Sequence, residues 1–229
     1  MNRWSGTGWL IAPNLLLTNH HVLNSIEAAG AASAIFAFER DTEGRERVTR
    51  RFRLDPSSLF ITHPVVDSTG QPGLDFSVVW IDPLAAAEFG HLQLVRNPGP
   101  ALEGDLANII QHPNGGLKRV TLQDNAITRG IESDVVYVRY RADTEPGSSG
   151  APVFFNTWAP FALHHASRDN GDGTSANEGI LLTAIAAHLE TMVARGVQAA
   201  EATAVLSCIQ GADPMLGAFG TLGRPQTRA

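Results

Sequence analysis

Short apolar runs separated by turn-forming residues characterise most of the chain. Residues 8–17 read GWLIAPNLLL, which predicts two short strands around a Pro-Asn turn. FSVVWI at 76–81 predicts a strongly apolar strand, and the glycine pair at 115–116 predicts a hairpin between LANIIQHP and LKRVTLQ. Further strands are predicted in SAIFAF, DVVYVRY, APVFF and FALHHAS. This pattern favours an antiparallel β protein.

The pattern changes from Glu178 onward. AIAAHLETMVARGV and QAAEATAVLSCI are rich in alanine and repeat their apolar residues at helical spacing. We therefore expect a β core closed by a helix at about 184–195, followed by a helical tail or linker over 196–229. Its last part, 211–229, is rich in Gly, Pro and Thr and is predicted to be loose.

Composition narrows the classes of partner. The chain has 229 residues, 43% of them apolar, and a formal net charge of −6. It has no cluster of Lys and Arg, so no nucleic-acid partner is expected. No apolar run approaches the roughly 20 residues that span a bilayer, so no membrane partner is expected either.

The sequence also bears on location and cofactors. Cys208 is the only cysteine, so no internal disulfide can form, and the first residues lack the pattern of a secretory signal. These features predict a cytoplasmic protein. No metal-binding spacing is found among His63, His91, His112 and His188. We therefore expect no metal and no cofactor.

Three separated segments carry residues suited to nucleophilic catalysis. His21 follows an apolar strand in Thr18-Asn19-His20-His21-Val22, and Asp75 opens an apolar strand in Leu74-Asp75-Phe76-Ser77. Ser149 lies in Gly147-Ser148-Ser149-Gly150-Ala151-Pro152. Hydrolysis by a serine needs a base to take its proton, an acid to orient that base, and donors for the oxyanion. The three segments supply candidates for each role.

These motifs resemble the trypsin-like serine peptidases, in particular the disulfide-free bacterial ones, which include glutamyl endopeptidases and HtrA proteases. The resemblance covers roughly residues 5–190. It implies an all-β fold of two packed six-stranded antiparallel barrels with C-terminal helices, the first barrel at about 1–95 and the second at about 100–183, within one protease domain over 1–195. It further implies a serine endopeptidase with His21, Asp75 and Ser149 as the triad and the N–H groups of Gly147 and Ser149 as the oxyanion hole.

The order of the motifs separates this chain from another hydrolase class. In α/β-hydrolases the serine precedes the acid and the histidine, whereas here the order is His, Asp, Ser. A protease fold used as a catalytically silent binding or signalling module remains the alternative. Ser148 stands where zymogen-activated digestive relatives have an aspartate, so activation by a newly cut N-terminus is not expected.

The predicted substrate pocket consists of Asp143, Thr144 and His164, and it gives two conflicting expectations. Thr144 and His164 resemble the acid-selective pockets of glutamyl endopeptidases, since a hydroxyl and an imidazole can bind a carboxylate. Asp143 lies where a trypsin-type pocket has the carboxylate that attracts Arg or Lys. Thr144 and His164 favour an acidic or small polar residue before the cut, whereas Asp143 favours a basic one.

The resemblance finally indicates partners. The substrate is expected to be a protein or peptide. Bacterial relatives of this kind often lie in multidomain signalling or defence proteins, and this chain begins almost at its first predicted strand. We therefore expect other domains or partner proteins of such a system.

Overall fold

The structure is a computed structural model that describes residues 5–129, 136–169 and 175–210. Most of its elements are strands. They are β1 (Trp9–Ala12), β2 (Leu15–Thr18), β3 (Ser33–Phe36), β4 (Arg50–Arg53), β5 (Phe60–His63), β6 (Phe76–Trp80), β7 (Leu94–Val95), β8 (Asn108–Gln111), β9 (Arg119–Thr121), β10 (Ile127–Arg129), β11 (Tyr137–Tyr140), β12 (Pro152–Phe154), β13 (Pro160–Asp169), β14 (Ser175–Leu181) and β15 (Ile209–Gln210). The helices are α1 (Ile26–Ala31), α2 (Leu84–Phe89), α3 (Leu182–Arg195) and α4 (Ala199–Ser207).

The strands form two main antiparallel sheets, one from each half of the chain. The first has the order β1-β2-β6-β5, and the hairpin of β3 and β4 stands beside it as a separate pair. The second has seven strands in the order β10-β11-β14-β13-β12-β8-β9. The mostly β character is therefore as predicted, but two barrels of six strands each are not confirmed.

Hairpins predicted from short apolar runs are present. β1 and β2 pair around the turn at Pro13 and Asn14, because that turn lets each strand place its apolar residues in the core. β8 and β9 pair around the predicted glycine turn. No strand was predicted over β14, although the second barrel was expected to extend to about residue 183.

The helical end of the chain packs onto the first sheet. Leu189 of α3 and Val205 of α4 are buried in one apolar cluster with Ile61 and Phe76 of that sheet. β15 pairs in parallel with β7. The described part of the predicted tail thus contributes to the core, and residues from 211 onward lie outside the described residues.

No helix in the described ranges combines the length and apolar character that crossing a bilayer requires.

A buried histidine lies in the core of the second sheet. His164 of β13 is 5% exposed, and its Nδ1 atom is 2.9 Å from the hydroxyl of Tyr140, which is fully buried. Burial, with a smaller contribution from the charges of His165 and His21, lowers the pKa of His164 from 6.5 to about 3. At neutral pH this side chain is therefore uncharged.

The burial of His164 predicts a loss of stability in mild acid. Between pH 6.5 and about 3 the unfolded chain binds a proton at His164 that the folded chain does not. The free energy of unfolding should therefore fall by about 1.4 kcal/mol for each pH unit below 6.5 on account of this group. His164→Gln should remove that part of the slope.

Urea denaturation of the parent and the variant from pH 7.5 to 5 measures the difference. His91→Gln, at an exposed histidine, is the matched control and should keep the parent slope. Equal slopes for the parent and His164→Gln would contradict the assignment.

Candidate active site

A histidine and a buried aspartate from the first half of the chain are in direct contact. The Nδ1 atom of His21 lies 2.7 Å from Oδ2 of Asp75, and the backbone N–H of His21 donates to Oδ1 at 3.0 Å. The side chain of Asp75 is 1% exposed and that of His21 is 39% exposed. The pair therefore presents an open imidazole whose inner nitrogen is held by a carboxylate.

The fold fixes Asp75 from several sides. Its φ of 39° lies in the left-handed region, which aspartate tolerates better than most residues. Asn19 donates its side-chain amide to the carbonyl of Asp75 at 2.8 Å, and the preceding Leu74 donates its N–H to Nδ1 of His63 at 3.0 Å. The carboxylate thus has one defined orientation at the start of β6.

The contacts of Asp75 keep it ionised. Burial by itself raises the pKa of this carboxyl. Hydrogen bonds from His165 and His21, together with the nearby charge of His21, outweigh burial and lower the pKa from 3.8 to about 2. Asp75 is therefore a carboxylate throughout the neutral range.

Ser149 lies in the loop that leads into β12. The loop is shaped by Gly147 and Gly150, whose φ angles of 98° and 88° are accessible mainly to glycine. A Cβ atom at Gly150 would lie 2.1 Å from the carbonyl oxygen of Thr7, so a larger residue cannot fit there. Ser148 and Gly150 donate their N–H groups within the protein, whereas those of Gly147 and Ser149 have no acceptor among the described residues. Two free donors therefore flank this serine.

Thr7 ties this loop to the first half of the chain. Its N–H donates to the carbonyl of Ser149 at 2.8 Å, and its hydroxyl donates to the carbonyl of Gly147 at 2.9 Å. The same hydroxyl accepts the N–H of His112 at 3.1 Å, and Thr18 donates to the carbonyl of Thr7 at 2.8 Å. Because Thr18 ends β2, just before His21, this set of bonds connects the serine loop to the segment that carries the histidine. No hydrogen bond joins His21 to Ser149 in the described residues.

The three predicted pocket residues differ in their surroundings. The side chain of Asp143 is exposed, and its backbone carbonyl accepts a hydrogen bond from Gln111 at 2.7 Å. The half-buried Thr144 donates to Oδ1 of Asn177 at 2.7 Å. His164 lies in β13, and its Nδ1 atom makes a hydrogen bond with the hydroxyl of Tyr140. Burial, with a smaller effect of Glu178, raises the pKa of Tyr140 well above 10.0, so this phenol stays protonated.

His165 and Glu178 extend the site. His165 Nδ1 is 3.2 Å from Asp75 Oδ2, and His165 Nε2 is 3.1 Å from Glu178 Oε1. Sequence reasoning gave no role to Glu178 or to Thr7. Glu178 was missed because β14, which carries it, was missed. Thr7 is a small residue between two glycines, and no local pattern indicates its hydrogen bonds to the distant loop of Ser149.

Within the described residues, no three acidic, histidine or cysteine side chains are grouped so that they could hold a metal ion.

Comparison with known proteins shows a relative in sequence. The chain is 42% identical over 171 residues to the protein y4fB of Sinorhizobium fredii, an alignment that covers 70% of this chain and 25% of that protein. The chain thus spans about a quarter of this relative.

Solved structures show the same fold. A Glu endopeptidase in complex with MPD superposes with a TM-score of 0.54 at 23% identity, covering 80% of this chain and 82% of that one. A serine endoprotease from Yersinia pestis gives a TM-score of 0.53 at 20% identity, covering 83% of this chain and 57% of that one. At these identities the likeness concerns the fold.

The sequence profile of the trypsin-like peptidase domain matches residues 6–163, a span that contains His21, Asp75 and Ser149, and the chain therefore belongs to the trypsin-like serine peptidase family.

Proposed function

We propose that this protein is a serine endopeptidase that uses His21, Asp75 and Ser149 as its catalytic triad. The observation that carries the proposal is the 2.7 Å contact between His21 Nδ1 and the buried Asp75, with the imidazole open to solvent. A carboxylate in this position holds the ring in the tautomer whose Nε2 atom can accept a proton.

The proposed reaction proceeds through an acyl-enzyme. Nε2 of His21 takes the proton of the Ser149 hydroxyl as its oxygen attacks the peptide carbonyl. The negative charge that develops on the carbonyl oxygen is stabilised by the free N–H groups of Gly147 and Ser149, and each such donor contributes about 3 kcal/mol in comparable enzymes. His21 then gives its proton to the leaving amine, and water attacks the acyl-enzyme by the reverse proton path.

The bonds of Thr7 support the oxyanion role. By holding the carbonyls of Gly147 and Ser149, they orient the loop, and the N–H groups of these two residues have no acceptor in the described ranges. Donors fixed before the substrate binds need no reorganisation during the reaction.

For the residue before the scissile bond, we propose an acidic or small polar preference. The protonated Tyr140 hydroxyl can donate to Nδ1 of His164, which leaves the neutral ring with its proton on Nε2 as a donor for substrate. Thr144 supplies a half-buried hydroxyl, which donates to Asn177 and would turn from it to a substrate carboxylate. Asp143 is exposed and so has less influence on a buried substrate side chain than a carboxylate at the base of a pocket.

The proposal extends to the setting of the enzyme. Its substrate is a protein or peptide, with no nucleic acid or membrane as partner, and its location is cytoplasmic. Because the alignment covers only a quarter of y4fB, we propose that the domain works beside other domains or partners, as in signalling or defence proteins.

Replacement of Ser149 by alanine tests the endopeptidase proposal. The parent should cleave members of a peptide library, as read by mass spectrometry, and Ser149→Ala should lower the rate at least about 10³-fold because no nucleophile remains. Ser57→Ala, at an exposed serine, is the control and should leave the rate unchanged. Cleavage retained in folded Ser149→Ala would contradict the mechanism, and no cleavage by the folded parent would favour the silent binding module.

The proposed preference can be tested with matched reporter peptides that have Glu, Gln, Arg or Lys before the cut. We expect the Glu or Gln peptide to be cleaved fastest. Thr144→Val should lower kcat/KM for it about tenfold, the effect of one lost hydrogen bond to substrate. Asp143→Asn should change it less than about threefold, since an exposed charge is screened. Fastest cleavage after Arg or Lys, abolished by Asp143→Asn, would show that Asp143 governs the pocket.

A further inference from the structure

A second histidine contacts the carboxylate of the proposed triad. Oδ2 of Asp75 lies 2.7 Å from Nδ1 of His21 and 3.2 Å from Nδ1 of His165. The side chain of His165 is 2% exposed and comes from β13, in the other sheet. One oxygen atom thus receives an imidazole from each half of the molecule.

The other nitrogen of His165 also meets a carboxylate. Nε2 lies 3.1 Å from Oε1 of Glu178, whose side chain is 7% exposed. An ionised carboxylate only accepts hydrogen bonds, so a ring bonded to carboxylates through both nitrogens must carry a proton on each. The geometry alone therefore favours the imidazolium form of His165.

Glu178 is held ionised by arginines. Nε of Arg168 lies 2.9 Å from its Oε1 atom, and Nε of Arg139 lies 3.3 Å from its Oε2 atom. Burial alone raises the pKa of Glu178, but its bonds to His165 and Arg168 outweigh burial and lower the pKa to about 2. The ionic chain thus runs from the surface arginines through Glu178 and His165 to Asp75.

The surroundings of His165 support the same charge state. Burial lowers the pKa of His165, but its hydrogen bonds to Asp75 and Glu178, and the charges of these two groups, outweigh burial and raise it above 6.5. The ring of Tyr137 stacks on His165 with 5.6 Å between centroids, and its hydroxyl donates to the carbonyl of Gly73, two residues before Asp75. The titratable or charged groups around this ring are Asp75, Glu178, Arg139, Arg168, Tyr137, His21 and His164.

We propose, on the basis of the protease function above, that His165 is a positioning residue held as an imidazolium between Asp75 and Glu178, where it orients Asp75 and lets His21 act as a base at lower pH. The positive charge of His165 offsets part of the negative charge that Asp75 presents to His21. Protonation of His21 is therefore less favourable than it would be beside Asp75 alone. Glu178 stabilises the charge of His165 directly, and the two arginines stabilise the charge of Glu178.

His165→Asn separates charge from hydrogen bonding. The amide nitrogen of asparagine lies near the position of Nδ1 and can still donate to Asp75, but it carries no charge. Glu178 keeps Arg139 and Arg168 as partners, so no buried charge is left unpaired. His165→Leu removes the hydrogen bond as well, and His91→Asn controls for loss of an exposed histidine.

Nitrogen-15 NMR of histidine-labelled protein tests the charge without needing activity. In the parent, the doubly protonated His165 ring should persist at pH values above 6.5, where a free imidazole is largely neutral. Its signal should be absent in His165→Asn and unchanged in His91→Asn. A His165 ring that is neutral at pH 7 would overturn the proposal.

Kinetics provides the second readout. In His165→Asn the acid limb of kcat/KM against pH should move up by about one unit, with KM unchanged. His165→Leu should lower kcat about 10²-fold, and the partial recovery in asparagine would separate positioning from a loss of folding. Equal losses of kcat in the two variants would contradict the positioning role. A folded parent without peptidase activity would refute the protease function, and the NMR titrations would still decide the charge of His165.

Discussion

The arrangement of the site depends on one buried carboxylate that has to remain ionised. Asp75 is almost fully removed from water, and a charge in that position is costly unless donors surround it. The protein supplies three donors to the carboxylate, the backbone and ring of His21 and the ring of His165. His165 comes from the second sheet, so the hydrogen bond that helps to stabilise the charge of Asp75 also joins the two halves of the molecule.

A second set of hydrogen bonds, made by Thr7, positions the loop that carries Ser149 and also joins the two halves of the molecule. Thr7 and Ser149 are far apart in sequence. The backbone N–H of Thr7 donates to the carbonyl of Ser149, and the Thr7 hydroxyl donates to the carbonyl of Gly147, 140 positions away. These bonds use the carbonyls of Gly147 and Ser149, whose N–H groups have no acceptor among the described residues. Packing of the two halves therefore connects the loop of Ser149, through Thr7 and Thr18, to the segment that carries His21.

Local sequence was sufficient for part of this picture. Apolar runs between turn residues predicted β1, β2 and β6, and the motifs around His21 and Asp75 predicted side chains that are in fact bonded. Such features are encoded within a few residues of the group concerned. The resemblance to the trypsin-like peptidases indicated that these separate motifs belong to one site, and the profile match shows that family.

The features that were missed depend on long-range pairing. β14 lies between β11 and β13 in the sheet, and its sequence, SANEGIL, lacks the alternation of apolar and polar residues that would predict a strand. Without that strand, nothing placed Glu178 beside His165, and the arginines 139 and 168 had no apparent partner. The predicted six strands per barrel were not confirmed, and the number of strands in a sheet is hard to predict because pairing is decided by contacts between distant segments.

The most direct test of the account is the rate at which a fluorophosphonate modifies the parent protein and Asp75→Asn, followed by peptide mapping. The reagent needs a serine activated by a correctly oriented histidine. The account predicts a single adduct on Ser149 in the parent and labelling slower by at least about 10²-fold in Asp75→Asn. An adduct elsewhere, no adduct on the folded parent, or equal rates for the two proteins would contradict it.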